Sequence, residues 1–237
     1  MRPFPLMLFA AGRGTRMGAL TADRPKPLIE VSGKTLLAHA IAITDAAEAA
    51  PKVANLHYHG AMLAKTLAAH GFALSRESTL LETGGGLRQA LPLLGVDLLP
   101  GPGGVMTLNS DAVWTGENPL RQLAAAWQPD RMDGLLLLLP AGQTSGHTGT
   151  GDFRRDAAGR LSRAAGAAGD VYLGAQIIKT ADLADVPQQV FSLNLIWDRM
   201  IARQRLFGLI HHGGWCDVGT PGGIAVAEAL LARASDV

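Results

Sequence analysis

The sequence predicts an α/β fold in which a mixed, mostly parallel sheet is covered by helices on both faces. Two observations support this prediction. Strand-like and helix-like segments alternate along the 237 residues, which is the pattern of a sheet layered between helices. No internal repeat and no linker-like stretch interrupts the alternation, so we predict a single domain over 1–237.

In the first half of the chain, short apolar runs predict the strands, and apolar residues at helical spacing predict the helices. The first helix shows this spacing clearly, because Leu37, Ala40 and Ile41 recur on one face. The last helix of this half is expected to start after the glycine triplet at 84–86. The predicted order is a strand over 6–9, a helix over 35–49, a strand over 53–59, a helix over 61–70, a strand over 73–76, a helix over 87–94 and a strand over 104–108.

The second half of the chain is less regular. An apolar run over 135–139 predicts a buried strand, because it stops at Pro140 and is too short to span a bilayer. We expect a polar, glycine-rich loop over 141–150 and an irregular hairpin over 157–169. The other predicted elements are a helix over 120–126, a strand over 134–139, a strand over 171–178, a helix over 193–203, a strand over 206–211 and a helix over 222–233.

The composition is typical of a globular, cytoplasmic protein. Hydrophobic residues make up 48% of the chain, enough for a substantial core. The formal net charge is +1 and no basic face is apparent, which argues against nucleic acid as a partner. Cys216 is the single cysteine, so an internal disulfide is excluded, and we expect a buried small residue there. The N-terminus has no signal-peptide pattern, and we expect no membrane partner and a monomer or homodimer.

The loop after the first strand has the features of a polyanion site. Arg16 supplies a guanidinium fork that suits two phosphate oxygens, so we expect it to contact the β- and γ-phosphates of a nucleoside triphosphate. Lys26 stands between Pro25 and Pro27 and is expected to place a point charge near the α-phosphate. Small residues let phosphates approach the backbone N–H groups of the loop. These small residues are Ala10, Ala11, Gly12 and Gly14.

Two other phosphate-binding loops differ from this segment. A P-loop ends in Gly-Lys-Ser/Thr, whereas this glycine run ends in Thr15-Arg16-Met17. The Rossmann dinucleotide fingerprint requires glycine where Met17 stands, and Gly18 comes one residue late. Glu30 lies at the distance expected for a ribose contact, so the dinucleotide interpretation stays open, as does a turn without ligand.

The same loop resembles the signature of a known enzyme family. Gly-x-Gly-Thr-Arg-Met at 12–17, followed by Pro-Lys-Pro-Leu at 25–28, is similar to the motif of the sugar-1-phosphate nucleotidyltransferases. The resemblance covers nearly the whole chain and is greatest to the N-acetylmuramate-1-phosphate uridylyltransferase branch. Its further motifs are Leu-Glu-Thr-Gly-Gly-Gly at 81–86, Asn-Ser-Asp at 109–111, Gly-Asp-Phe at 151–153 and Trp-Cys-Asp-Val-Gly-Thr-Pro at 215–221.

This resemblance implies a fold and a reaction. The fold is a Rossmann-like α/β/α sandwich, the nucleotide-diphospho-sugar transferase fold, with a nucleotide half over about 1–112 and a sugar-phosphate half over about 113–237. The reaction joins a nucleoside triphosphate, UTP in this branch, to a sugar-1-phosphate, N-acetylmuramate-1-phosphate in this branch, and releases pyrophosphate. The resemblance also implies Mg²⁺ as the cofactor.

Two aspartates are the candidate metal ligands. Asp111 follows an apolar strand, where a carboxylate is costly without a cation or hydrogen-bond donors. Asp217 stands between Trp215 and Val218, just before a turn. Each has an alternative role as the capping residue of the turn or helix that follows. The resemblance implies that the two hold Mg²⁺ between the α-phosphate and the acceptor phosphate. The predicted catalytic residues are Arg16, Lys26 and Asp111.

The resemblance assigns the remaining candidates to the base and to the sugar phosphate. It implies a uracil site between the segment at 10–12 and the glycine triplet at 84–86. The other nucleotide candidates are Thr15, Met17, Glu82, Gly84 and Gly85. The sugar-phosphate candidates are Asn109, Gly151, Asp152, Tyr172 and Asn194.

The chain departs from the family pattern in two places. Larger members carry a Glu-x-Pro or Glu-Lys-Pro element before the strand at 171–178, whereas residues 164–170 contain no lysine. The sequence therefore leaves open which cation faces the acceptor phosphate. Asn-Ser-Asp at 109–111 replaces the usual Asn-Gly-Asp, which adds a side chain at that strand end.

Other functions fit the sequence less well. A glycosyltransferase that uses nucleotide sugars normally has Asp-x-Asp after a central strand, and this chain has Asn109-Ser110-Asp111 there. A non-catalytic binding module is expected to lose at least one charged candidate. All four are present, namely Arg16, Lys26, Asp111 and Asp217. Within the family, the alternative is a guanylyl-, thymidylyl- or uridylyltransferase of mannose- or glucose-1-phosphate.

Overall fold

A nine-stranded mixed sheet is the centre of the structure, a computed structural model that describes residues 3–96 and 103–235. The strands are β1 (Leu6–Phe9), β2 (Glu30–Val31), β3 (Lys34–Thr35), β4 (Lys52–Leu56), β5 (Phe72–Arg76), β6 (Val105–Asn109), β7 (Ala112–Trp114), β8 (Gly134–Pro140), β9 (Phe153–Arg155), β10 (Leu161–Arg163), β11 (Asp170–Ile178), β12 (Leu206–Ile210) and β13 (Trp215–Asp217). The α-helices are α1 (Leu36–Ala46), α2 (Ala61–Ala69), α3 (Glu82–Ala90), α4 (Pro119–Ala126), α5 (Asn194–Ala202) and α6 (Pro221–Ser235). Among the described residues, no helix has the length and hydropathy of a membrane span.

Within the described residues, six of the seven longer strands of this sheet run in the same direction. Strands β6, β1, β4 and β5 are parallel neighbours, β11 runs antiparallel between β6 and β8, and β12 pairs in parallel with β8. The hairpin of β9 and β10 attaches to the end of β11. The predicted mixed, mostly parallel sheet is confirmed.

Side-chain alternation along β1 divides the core into two layers. Leu6 and Leu8 pack on one face with apolar residues of α1, α2 and α4, whereas Met7 packs on the other face with those of α3 and α5. All three are fully buried, as expected for a central strand whose two faces are covered. The structure is therefore the predicted α/β/α sandwich.

A two-stranded ribbon of β7 and β13 forms a third packing unit, which the sequence analysis missed. Cys216 pairs with Val113, and both belong to an apolar cluster with Met17 and with Ala227 of α6. Cys216 is fully buried, as expected, and burial together with the charge of Asp217 raises the pKa of its thiol to about 11. The ribbon positions Asp217 at its end.

The helix predicted to begin after the glycine triplet begins earlier. Helix α3 starts at Glu82 and contains all three glycines, although each glycine in a helix costs about 1 kcal/mol relative to alanine. The N–H groups of Gly84 and Gly85 donate to the carbonyl of Phe191 at 2.9 and 3.1 Å. These N–H groups belong to the first turn of a helix, where partners within the helix are lacking. The contact with Phe191 therefore offsets the poor helix propensity of the triplet.

Candidate active site

A cleft of about 290 Å³ opens at the carboxyl ends of β1 and β6. These strands are parallel neighbours in which Phe9 lies beside Asn109, so the loops that follow them meet there. The predicted residues that line the cleft are Gly12, Gly14, Thr15, Arg16, Lys26, Asn109 and Asp111. The lining residues that the sequence analysis did not assign are Phe9, Pro27, Thr83, Ser110 and Gly219.

Lys26 lies at the centre of the charged groups in the cleft. Its Nζ is 2.9 Å from Oδ2 of Asp111 and 3.9 Å from Oδ1 of Asp217. The lysine side chain is 9% exposed, and Gly14 makes room for it, because a Cβ at Gly14 would lie 2.8 Å from Cβ of Lys26. Gly14 also has a φ of 64°, which favours glycine. Lys26 is therefore a fixed charge beside two carboxylates.

Arg16 enters the cleft from a much more exposed position. Its side chain is 69% exposed, and its guanidinium is 3.9 Å from Oδ2 of Asp217. Gly219 permits this approach, because a Cβ there would lie 2.5 Å from Oδ2 of Asp217 and 3.1 Å from both terminal nitrogens of Arg16. An exposed ion pair contributes little to stability, so Arg16 stays available to bind an anion.

Asp111 and Asp217 form a pair of like charges next to Lys26. Burial raises the pKa of the Asp217 carboxyl, and the charge of Asp111 raises it further. Val218 donates its N–H to the carbonyl of Asp111 at 3.1 Å, which ties the two segments together. Such a pair suits a hard divalent cation, which takes one or two carboxylates and adds phosphate oxygens and water. In the described part of the chain, no group of three or more His, Cys, Asp or Glu side chains is arranged as a metal site.

Asn109 occupies the cleft at the end of β6, opposite a bulge in β11. The pairing of β11 with β8 shifts register between Tyr172 and Gln176, and Gly174 between them has a φ of 84°. A Cβ at Gly174 would lie 2.8 Å from Nδ2 of Asn109. The bulge therefore makes the space that the Asn109 side chain occupies.

Residues 6–181 match the family model described as the MobA-like NTP transferase domain. The chain belongs to this family. It is 39% identical to the N-acetylmuramate alpha-1-phosphate uridylyltransferase of Caulobacter vibrioides, over 96% of this chain and 97% of that protein. It is 30% identical to a protein of the same name from Neisseria meningitidis serogroup B, over 94% of this chain and 96% of that relative. The chain is a sugar-1-phosphate nucleotidyltransferase, as its motifs indicated.

Two solved structures share the fold of this transferase. HddC from Yersinia pseudotuberculosis, complexed with GMP-PN, gives a TM-score of 0.74 at 16% identity and covers 95% of this chain and 98% of its own. A putative glucose-1-phosphate thymidylyltransferase from Bacillus anthracis gives a TM-score of 0.76 at 14% identity and covers 97% of this chain and 95% of its own. The predicted nucleotide-diphospho-sugar transferase fold is confirmed.

Several predicted nucleotide-binding residues of the transferase make structural contacts. Met17 is 1% exposed, so its side chain anchors the loop in the core, and a contact of its backbone with the nucleotide stays a prediction. The N–H groups of Gly84 and Gly85 donate to Phe191, and a contact of these glycines with the base through other backbone atoms stays a prediction. Glu82 is exposed at the start of α3, and its contact with the nucleotide stays a prediction. Two further candidates are almost fully buried at the start of the loop, Ala10 and Ala11.

Within the described part of the chain, Asn109 lines the cleft and the other predicted sugar-phosphate residues do not. Tyr172 is half-buried, desolvation raises the pKa of its phenol, and its ring packs on Trp197 with centroids 4.9 Å apart. Its contact with the sugar phosphate stays a prediction. Asp152 accepts the N–H of Tyr172 at 2.9 Å, Gly151 packs against backbone, and Asn194 begins α5. Sugar binding by Gly151, Asp152 and Asn194 stays a prediction.

A buried polar network joins the glycine loop to α3, and the sequence analysis missed it. Oδ1 of Asn55 accepts the N–H of Ala10 at 2.8 Å, and Nδ2 of Asn55 donates to Oε1 of Glu77 at 2.7 Å. Oε2 of Glu77 accepts the N–H of Leu81 at 3.0 Å. Gly86 leaves room for this carboxylate, because a Cβ there would lie 2.8 Å from Oε1. The sequence does contain one signal for this network, because Glu77 is an acidic residue directly after the predicted strand over 73–76 and shortly before the glycine triplet.

Proposed function

We propose that this transferase joins UTP to N-acetylmuramate-1-phosphate and produces UDP-N-acetylmuramate and pyrophosphate. The observation that carries the proposal is the position of Lys26 beside Asp111 and Asp217, with Arg16 next to them, at the carboxyl ends of two parallel strands. The choice of base and sugar is supported by the names of the two relatives, which align with nearly the whole chain.

In the proposed reaction, an oxygen of the sugar phosphate attacks the α-phosphorus of UTP. The bond between that phosphorus and the bridging oxygen breaks, and its electron pair leaves with pyrophosphate. The attacking phosphate is already ionised, so positioning and charge neutralisation supply nearly all of the catalysis. Arg16 binds the β- and γ-phosphates, and Lys26 holds its charge at the α-phosphate. The exposure of Arg16 and the burial of Lys26 support this division of roles.

Asp111 and Asp217 are proposed to hold Mg²⁺. The pair fits a hard dication, because burial and the neighbouring carboxylate both disfavour the charged form of Asp217, which a dication would favour. When bound, Mg²⁺ supplies electrostatic stabilisation of the phosphate oxygens. Lys26 orients Asp111 through the 2.9 Å hydrogen bond to its Oδ2.

The two halves of the chain are proposed to divide the substrates. Residues 1–112 bind the nucleotide, and residues 113–237 supply the sugar-phosphate side together with Asp217. The cleft lining supports this division, because it comes mainly from the first half. The loop over 141–150, which belongs to the second half and is hydrogen-bonded to Asp217, supports it as well. We propose a cytoplasmic monomer or homodimer that serves the reuse of peptidoglycan sugars.

Pyrophosphate release tests the proposed function. The purified chain is incubated with Mg²⁺, one of UTP, GTP, dTTP, CTP or ATP, and one of the 1-phosphates of N-acetylmuramate, N-acetylglucosamine, glucose or mannose. We expect the highest kcat/KM with UTP and N-acetylmuramate-1-phosphate, by about tenfold or more over other pairs. If another pair gives the highest kcat/KM, that pair replaces the proposed substrates. The absence of turnover with every pair refutes the proposed reaction. EDTA is expected to abolish turnover and added Mg²⁺ to restore it.

A further inference from the structure

The loop before Gly151 is fixed to the strand that carries Asp217. Ser145 donates its N–H to the carbonyl of Trp215 at 3.1 Å, and Asp217 donates its N–H to the carbonyl of Ser145 at 3.0 Å. Gly146 follows with a φ of 70° and has no room for a side chain against the carbonyl of Asp217. The loop therefore has a defined position beside the aspartate pair.

His147, the next residue of this loop, buries one of its ring nitrogens. Its Nε2 is shielded from solvent and has no hydrogen-bond partner among the residues that the structure describes. Gly149 lies directly against this atom, because a Cβ at Gly149 would be 2.5 Å from Nε2. Leaving a buried polar nitrogen without a partner is unfavourable, so such an atom in a native protein requires an explanation, such as a catalytic role or a bound ligand. The geometry indicates a donor reserved for a ligand.

His147 lies outside the described lining of the cleft. It follows Ser145 by two residues, and Ser145 is hydrogen-bonded through its backbone to Trp215 and Asp217, so His147 begins from a backbone position beside that aspartate. It comes from the loop that leads into Gly151, on the part of the chain proposed to bind the sugar phosphate. Three charged groups that influence the pKa of Asp217 line the cleft, namely Asp111, Lys26 and Arg16.

We propose that His147 binds the acceptor phosphate, with Nε2–H donating to an oxygen of the sugar-1-phosphate once the adjoining backbone at Gly149 moves away from the ring. This inference rests on the proposed function, because it requires a sugar-1-phosphate as the second substrate. Arg16 and Lys26 are assigned to the triphosphate, and residues 164–170 before β11 contain no lysine, so the acceptor phosphate has no other assigned donor. Nε2 donates both in the imidazolium ion and in one neutral tautomer, so the contact does not require a change of charge.

Three variants and two matched controls test this role. His147→Ala removes the donor, and His147→Gln keeps an amide donor near the position of Nε2. Gly149→Ala keeps the imidazole but places a methyl group against it. Gly142→Ala is the control in the same loop, because nothing lies within 4 Å of a Cβ there. His212→Ala is the second control, because that histidine is exposed and pairs with Glu117.

Initial rates of pyrophosphate release give KM for each substrate and kcat. His147→Ala is expected to raise KM for the sugar-1-phosphate roughly ten- to hundredfold, with kcat and KM for UTP within about twofold of wild type. His147→Gln is expected to recover most of this loss, and Gly149→Ala to reproduce it. Both controls should match wild type, and Tm values should stay within a few degrees.

Failure of the inference is distinct from failure of the proposed function. An unchanged KM for the sugar-1-phosphate in His147→Ala, or an equal rise in both KM values, overturns the inference. So does a folded His147→Gln that is as impaired as the alanine variant. If His147→Ala does not fold, the glutamine variant and Gly149→Ala decide by the same criteria. A wild-type protein that uses no sugar-1-phosphate overturns the proposed function and this inference together.

Discussion

The proposed nucleotide side and the proposed sugar-phosphate side of the cleft are built in different ways. The nucleotide side consists of loops that directly follow β1 and β6, two adjacent parallel strands whose ends meet at Phe9 and Asn109. The sugar-phosphate side combines a bulge at Gly174, a ribbon strand that ends at Asp217 and a loop with His147. Strand order brings the loops of the first side together, whereas three separate local features position the second. The comparison teaches that the order of the central strands places the proposed triphosphate site, whereas the proposed acceptor site depends on local backbone features outside those strands.

The largest effect is expected at the aspartate that both sides share. Asp111→Asn removes one of two carboxylates proposed to hold Mg²⁺, so kcat for pyrophosphate release should fall by about 10³-fold or more. Tm should change by only a few degrees, since Lys26 keeps Asp217 within 3.9 Å. Asp23→Asn is the control, because Asp23 pairs with Arg24 at the surface. Activity of Asp111→Asn within tenfold of wild type would contradict the proposed metal site.

A smaller effect is expected on the nucleotide side alone. Arg16→Ala should raise KM for UTP about ten- to hundredfold through the loss of a guanidinium–phosphate contact, while KM for the sugar-1-phosphate stays unchanged. Arg13→Ala is the matched control, because Arg13 is exposed in the same loop and does not line the described cleft. Separate KM measurements at saturating co-substrate check the result. Equal rises in both KM values would show that the two sides are not separable.

The nucleotide side could be predicted from the sequence because its signals are local. Asp111 closely follows β6, Arg16 and Lys26 stand in short motifs of the segment after β1, and the structure brings all three to one cleft. The place of the glycine triplet inside α3 could not be predicted, because the packing of Gly84 against Phe191 joins segments that are far apart in the sequence. The buried pairing of Asn55 with Glu77 joins two strand ends, and no local pattern reveals such a contact. Short ribbon strands escape prediction because three residues carry too little periodicity.

The next test removes the support beneath the nucleotide side. Both carboxylate oxygens of Glu77 accept hydrogen bonds, from Asn55 and from the N–H of Leu81, and a glutamine can accept at one position only. Glu77→Gln should lower the free energy of unfolding by about 1–3 kcal/mol, measured by urea denaturation. KM for UTP should rise by roughly threefold to tenfold as the loop shifts, with KM for the sugar-1-phosphate unchanged.

Glu30→Gln is the control for that measurement, because Glu30 is exposed and the change should stay within about 0.5 kcal/mol. A stable Glu77→Gln with wild-type KM for UTP would show that the network does not position the glycine loop.

The smallest effect is expected in the second half, at the end of β8 away from the cleft. Asp133 precedes β8 and accepts from Arg205 at 2.9 Å and from Lys179 at 3.1 Å. Burial raises the pKa of the Asp133 carboxyl, but hydrogen bonds from Arg205 and Lys179 outweigh it, so the net pKa is lowered. A carboxyl whose pKa is lower in the folded state stabilises the fold above its unfolded pKa of about 4, and loses this contribution as pH falls through the folded pKa.

Asp133→Asn should therefore lower the free energy of unfolding by about 1 kcal/mol at pH 7, because solvent screens part of the ion cluster. The difference from wild type should shrink as the pH of the urea titration is lowered below about 4. Asp198→Asn, at an exposed ion pair with Arg163, should differ from wild type by less than about 0.5 kcal/mol. Both KM values of Asp133→Asn should equal those of wild type, since β8 runs parallel to β6 and Asp133 lies at its amino end. A raised KM for the sugar-1-phosphate alone would mean that the acceptor side is coupled to the whole second half of the chain. The bulge, the ribbon strand and the loop with His147 would then depend on the sheet for their positions.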